Sequence, residues 1–220
     1  MTFSRRTVVV SGLLAAGALA VPTLAVADDK DLAGALRAGG LVLLLRHGAT
    51  FANQADTDPA HPDNTAAQRN LNDEGKASAR AFGDALRKIG VQVGKVYSSL
   101  LNRAYETAVL AGFTDIEKTV DLTETSTAMG RPADIEAGRS VTPEEKSRRA
   151  DALRKMLGTA PKAGTNTVLV THKPNILDAL GKDWSDVKDG EASIFRPANG
   201  SYTLVARVQV DEWPRLAAAM

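Results

Sequence analysis

Five consecutive apolar residues, Leu41-Val42-Leu43-Leu44-Leu45, stop abruptly at Arg46-His47-Gly48. An apolar run without alternation predicts a central strand buried on both faces. The pattern returns in Thr167-Val168-Leu169-Val170-Thr171, which ends at His172, and more weakly over Val93 to Ser98. Helical spacing lies between these runs. Phe82, Ala85, Leu86 and Ile89 form one apolar stripe. Asn72 caps that helix, Asp73 and Glu74 suit its positive end, and Gly90 stops it. Ser99 is placed to cap a second helix over residues 100–111, closed by Gly112. Pro143 opens a charged helix through Leu157, and Pro174 opens a short one that turns Ile176, Leu177 and Leu180 inward. A short third strand is expected from Glu117 to Val120. Ser193–Arg196 and Tyr202–Val208 read as an antiparallel pair across Asn199-Gly200.

Strands alternating with helices predict an α/β fold, a three-layer sandwich with a mainly parallel central sheet and helices on both faces. Ligands of such sheets sit at the carboxyl ends of the strands. The polar stretch from Asn53 to Asn70 reads as a loop, and the irregular stretch from Thr123 to Ser140 as an active-site loop.

The first 27 residues follow a different pattern. Ser4-Arg5-Arg6-Thr7 precedes an apolar stretch through Ala20, and Ala25-Val26-Ala27 stands before Asp28-Asp29. A basic start, an apolar middle and small residues at the end read as an export signal over 1–27. Its paired arginines favour the twin-arginine machinery over the Sec route. The run falls short of the roughly 20 residues of a membrane span, so no stable membrane anchor is expected, and the protein is expected to be periplasmic or secreted. Residues 28–220 then form a single domain, long enough to bury a core. Removing 1–27 takes away two arginines and no acids, turning a net charge of +1 into −1. Neither value points to nucleic acid as a partner. Cysteine is absent, which excludes disulfides, thiolate metal sites and cysteine nucleophiles.

Three strand ends deliver reactive side chains to one edge of the predicted sheet: Arg46 and His47, then Arg103 five residues after the second strand, then His172. Two guanidinium forks match phosphate oxygens in pairs. Arg103, in the first turn of its helix, opposes the helix dipole unless an anion is bound there. A neutral His47 nitrogen can attack phosphorus, while the arginines and His172 neutralise the equatorial oxygens. These fixed cations call for neither metal nor cofactor. His61, in Asp58-Pro59-Ala60-His61-Pro62-Asp63, reads as a surface residue, and no paired ligand spacing supports a metal site.

Leu45-Arg46-His47-Gly48-Ala49-Thr50 with Asn53 resembles the opening motif of the histidine phosphatase superfamily, the branch that includes phosphoglycerate mutase. Tyr97 through Ala108 is similar to its second block, and Thr171-His172-Lys173-Pro174-Asn175-Ile176 to its third. The resemblance implies a phosphohistidine at His47, with the phosphate held by Arg46, Asn53, Arg103 and His172. It also implies a carboxylate general acid after the second block, which Glu124 matches best. Glu191, entering a strand near the same edge, competes for that role. Ala49 stands where the mutases carry glutamate, and the mutases' long insertions are missing, so the resemblance favours hydrolysis over the mutase reaction. The expected function is an exported, metal-independent phosphatase for small phosphomonoesters. Two rival readings are a non-catalytic phosphoanion-binding module and a phosphatase for macromolecules such as phosphoprotein or lipopolysaccharide.

Overall fold

The first apolar run forms β1 (Val42–Arg46), and all of its residues but the last are buried. Its neighbours are β4 (Asn166–Thr171), parallel to it with Leu44 beside Leu169, and β5 (Ala192–Ala198), antiparallel with Leu44 beside Ser193. Beyond β4 come β2 (Val93–Ser98) and β3 (Ile116–Lys118), both parallel, and beyond β5 comes β6 (Ser201–Val208), antiparallel to it. The computed structural model describes residues 28–59, 61–125 and 141–219. The expected export signal, 1–27, lies outside the described residues, as does most of the expected active-site loop, 126–140.

The six-stranded sheet, ordered β3-β2-β4-β1-β5-β6, is covered on both sides. On one face α1 (Asp29–Ala38), α2 (Asp73–Ile89), α3 (Asn102–Leu110) and α6 (Trp213–Ala218) bury Leu36, Phe82, Ala104 and Trp213 against Leu43, Leu45, Val168 and Val170. On the other, α4 (Pro143–Leu157) and α5 (Lys173–Leu180) bury Leu153, Leu157 and Ile176 against Val42, Leu44 and Leu169. Alternate β1 residues thus feed opposite cores, which explains the unbroken apolar run. Among the described residues no helix is long and apolar enough to cross a membrane.

Local chemistry sets most boundaries. Asn72 Oδ1 accepts the Gly75 amide and caps α2, while Gly90, at φ 84°, ends it. Thr142 caps α4 in the same way, with Pro143 in its first turn. At Asn199-Gly200 both residues adopt positive φ, as a tight hairpin turn requires. The expectation for Ser99 is corrected: α3 starts at Asn102, two residues late, because Ser99 Oγ accepts the Leu101 amide at 3.0 Å before the helix begins. Two further elements were not announced by the hydrophobic pattern. Asp28 caps α1, whose Leu32 and Leu36 are buried one turn apart. The tail forms α6, where Trp213 packs edge-on against Phe82 at 4.9 Å, so the C-terminal segment caps the α1/α2 face.

Candidate active site

At the carboxyl end of β1 the chain is fixed from three sides. The Arg46 amide donates to Glu191 O, the His47 amide to Thr171 O, and the Gly190 amide to His47 O, each at 3.0 Å. Gly48 then passes against the start of α2 so closely that a Cβ there would stand 2.7 Å from Gly75 O. The reciprocal Cβ on Gly75 would lie 2.0 Å from Ala49 O, so both positions demand glycine. The Gly48 amide donates to Thr107 Oγ1, whose hydroxyl donates to Arg103 O, tying the motif to α3.

This anchoring brings four of the expected residues together. The His47 and His172 rings lie 5.0 Å apart, with 3% and 1% of their surfaces exposed. His47 Nδ1 is 2.8 Å from Gly48 O, an acceptor only, so Nδ1 carries the proton and Nε2 keeps its lone pair. Burial is the main cause holding the His47 pKa down at about 3, with the Arg103 charge next. Burial likewise lowers His172 well below the usual imidazole value, reinforced by His47 and Arg103. Both rings are therefore neutral near pH 7.

Ser99, expected as a helix cap, acts on His172 instead. Its Oγ receives the Leu101 amide and lies 2.8 Å from His172 Nε2, against 3.4 Å to Thr123 Oγ1. The hydroxyl hydrogen is best spent on Nε2, which leaves His172 Nδ1 as an N–H donor. That Nδ1 is buried and has no hydrogen-bond partner among the described residues.

The arginines share this property. Arg103 is fully buried; its Nη1 donates to Asp56 at 3.1 Å and its Nη2 to Glu124, while Nε is left without an acceptor. Arg46 donates through Nη1 to Val187 O and pairs through Nη2 with Asp189 at 2.5 Å, and its Nε too is buried and unmatched. Three donors around His47 thus lack a hydrogen-bond acceptor among the described residues. A buried donor with no acceptor is costly, and one oxyanion satisfies several at once.

Glu124 stands within this cluster, with Oε2 3.9 Å from His172 Nδ1. Its turn is pinned from behind: Thr123 O accepts from Asn175 Nδ2 at 2.8 Å and Arg149 Nη1 at 3.3 Å. Glu191 is buried apart from it and already engaged, accepting from the Lys188 amide, Arg207 Nε and Gln209 Nε2. The structure does not bring Asn53 into the cluster. It is exposed in its loop, with no hydrogen bond to His47, Arg46, Arg103 or His172 among the described residues. The same loop sends in two residues that sequence reasoning missed, Asp56, which grips Arg103, and Arg69, which donates to Thr50 Oγ1. His61 is exposed and bonded to Asp58, and no three His, Asp or Glu side chains gather as metal ligands among the described residues.

Fold and cluster define an α/β protein with an oxyanion-sized set of imidazole and guanidinium donors at the carboxyl edge of its sheet. Residues 42–130 match the model of the histidine phosphatase superfamily (branch 1). Over 72 residues the chain is 39% identical to a 2,3-bisphosphoglycerate-dependent phosphoglycerate mutase of Corynebacterium glutamicum, a match spanning 33% of this chain and 27% of the mutase. Over residues 42–130 the chain is thus similar to the histidine phosphatase superfamily. Its fold is shared with the product of open reading frame Rv3214 from Mycobacterium tuberculosis, at a TM-score of 0.53 and 19% identity over 76% of this chain and 96% of that one. It is shared equally with the protein histidine phosphatase SixA, solved in complex with tungstate, at a TM-score of 0.51 and 17% identity over 78% and 98% of the chains.

Proposed function

We propose that the protein hydrolyses phosphomonoesters through a phosphohistidine on His47. The observation that carries this reading is the set of unmatched buried donors, Arg46 Nε, Arg103 Nε and His172 Nδ1, around an imidazole whose Nε2 lone pair is free. Phosphate oxygens fill those donor positions, with Arg103 releasing Asp56 or Glu124 as the dianion arrives. His47 Nε2 forms the bond to phosphorus while the bond to the ester oxygen breaks. Arg46, Arg103 and His172 hold the three equatorial oxygens, and Glu124, as the carboxylic acid, protonates the leaving oxygen. Water then attacks the phosphohistidine, Glu124 takes its proton, the N–P bond breaks, and inorganic phosphate departs.

The electrostatic work in this scheme falls to arginines fixed by Val187 O, Asp189, Asp56 and Glu124, and the proposal is therefore metal-independent. Export is a separate part of the proposal and rests on the Ser4–Ala27 pattern alone. The deciding experiment offers a panel of small phosphomonoesters, an aryl phosphate and a phosphorylated protein, with EDTA present, to the wild type and to His47→Ala. Hydrolysis by the wild type and none by the variant is expected. Equal turnover in both removes His47 from the mechanism. Tight phosphate binding with no turnover on any substrate would favour a non-catalytic phosphoanion module.

A further inference from the structure

The arginines around the two rings differ in what balances them. Arg46 has Asp189, and Arg103 has both Asp56 and Glu124. Arg69 has no carboxylate partner among the described residues: its Nη1 donates to Thr50 Oγ1 at 2.6 Å, and only its backbone amide reaches a carboxylate, Asp56 Oδ1, at 2.9 Å. Asp56 thereby joins the Arg69 backbone to Arg103 Nη1, and Thr50, three residues after His47, holds the Arg69 side chain at the nucleophile's own loop. Burial dominates the low pKa of both histidines, yet the Arg69 charge adds to each, which places that charge toward the pocket. A half-buried guanidinium answered only by a hydroxyl favours an incoming anion.

We propose that Arg69 is a phosphate-binding residue, the third guanidinium of the cradle, standing in the role that the resemblance gave to Asn53. The inference rests on the phosphomonoesterase reading and deepens it. The extended segment through Leu71, bridged to Thr50 and fully buried at Leu71, carries Arg69 into the site, whereas Asn53 stays in solvent. Binding of phosphate by Arg103 competes with Asp56, and Arg69 supplies the compensating charge from the same loop.

Calorimetric titration of the full chain with inorganic phosphate tests this, beside KM and kcat on an aryl phosphate and a thermal melt, for wild type, Arg69→Gln and Arg69→Lys. Arg69→Gln is expected to raise the phosphate Kd and KM about tenfold, the value of one charge-assisted hydrogen bond. Arg69→Lys is expected to recover part of that loss, with kcat changing less than KM and the melting midpoint unmoved. Wild-type affinity and KM in Arg69→Gln would overturn the inference and leave the phosphatase reading standing. A fall in melting midpoint that tracks the binding loss, with no rescue by lysine, would make Arg69 structural and overturn it as well. A wild type that neither binds phosphate nor turns over any ester would overturn both.

Discussion

Arg103 and Arg149 are both buried on helices that flank the same sheet, 0% and 2% exposed, and they meet opposite circumstances. Arg149 Nε donates to Glu145 and its Nη1 to Thr123 O, and Glu145, also held by Arg148, has its carboxyl pulled down to about 2. Arg103 spends its Nη atoms on two carboxylates and keeps Nε without an acceptor, close to two imidazoles that also lie buried and neutral. The first arrangement is complete within the protein, so it serves the fold. The second has donors left over, and in a low-dielectric setting that deficit is the measure of how much an oxyanion gains by entering. The strand-end motifs and three of the unmatched buried donors meet at the same place, whereas the unmatched Trp213 Nε1 lies apart from it, packed against Phe82.

The comparison can be broken in several ways. His47→Ala removes the nucleophile and is expected to lower turnover by about 10⁴-fold or more while the chain melts as before. Arg103→Lys keeps the charge but loses the fork, and kcat/KM is expected to fall about 100-fold with stability within about 1 kcal/mol. Arg149→Ala should reverse that profile. A loss of about 3 kcal/mol in denaturant unfolding is expected, with activity down less than about tenfold through the displaced Thr123–Glu124 turn. Parallel losses in the two arginine variants would erase the distinction drawn between them.

Acidification sharpens it further. An unfolded histidine binds a proton below about pH 6.5, whereas folded His47 resists one until about 3. Between those values the unfolded state holds more protons, so stability falls as pH falls, by as much as about 1.4 kcal/mol per pH unit for each such ring. Melting curves from pH 7 to 4 should show this slope, and His47→Asn should reduce it by the share of one ring, leaving that of His172. A neutral nucleophile also predicts that the acidic limb of kcat/KM shows no ionisation of His47 near 6.5. The smallest effect expected is that of Glu191→Gln, with turnover within about twofold of wild type, whereas Glu124→Gln should lower hydrolysis of alkyl phosphates by about 100-fold. A reversed order would return Glu191 to the acid's role.

Much of this is legible in the sequence itself. Continuous apolar runs marked β1 and β4 because both of their faces are buried, and the residues ending them, Arg46, His47 and His172, met at one edge, as parallel strands dictate. Arg103 joined them because Thr107 ties α3 to Gly48. The loop from Asn53 to Asn70 was not legible. Its polar residues follow no period, so nothing in the pattern distinguishes Asp56 and Arg69, which turn inward, from Asn53, which does not. The one available signal was Leu71, an isolated apolar residue just before the α2 cap, whose burial draws the preceding residues toward the sheet edge. The start of α3 was misplaced for a related reason, since a serine beside a helix can spend its hydroxyl on a histidine from distant sequence. Helix α1 carried ordinary signals, an aspartate cap and leucines one turn apart, but they follow directly on the export-like segment.

The central claim is that phosphorus becomes bonded to His47. Rapid quenching of the enzyme during turnover of a phosphomonoester, followed by ³¹P NMR and peptide mapping, tests it directly. The account predicts a phosphoramidate signal, labile to acid and stable to base, on the peptide containing His47 and absent from His47→Ala. An acid-stable phosphoryl group on another residue, or steady turnover with no phosphoenzyme at any quench time, would contradict it.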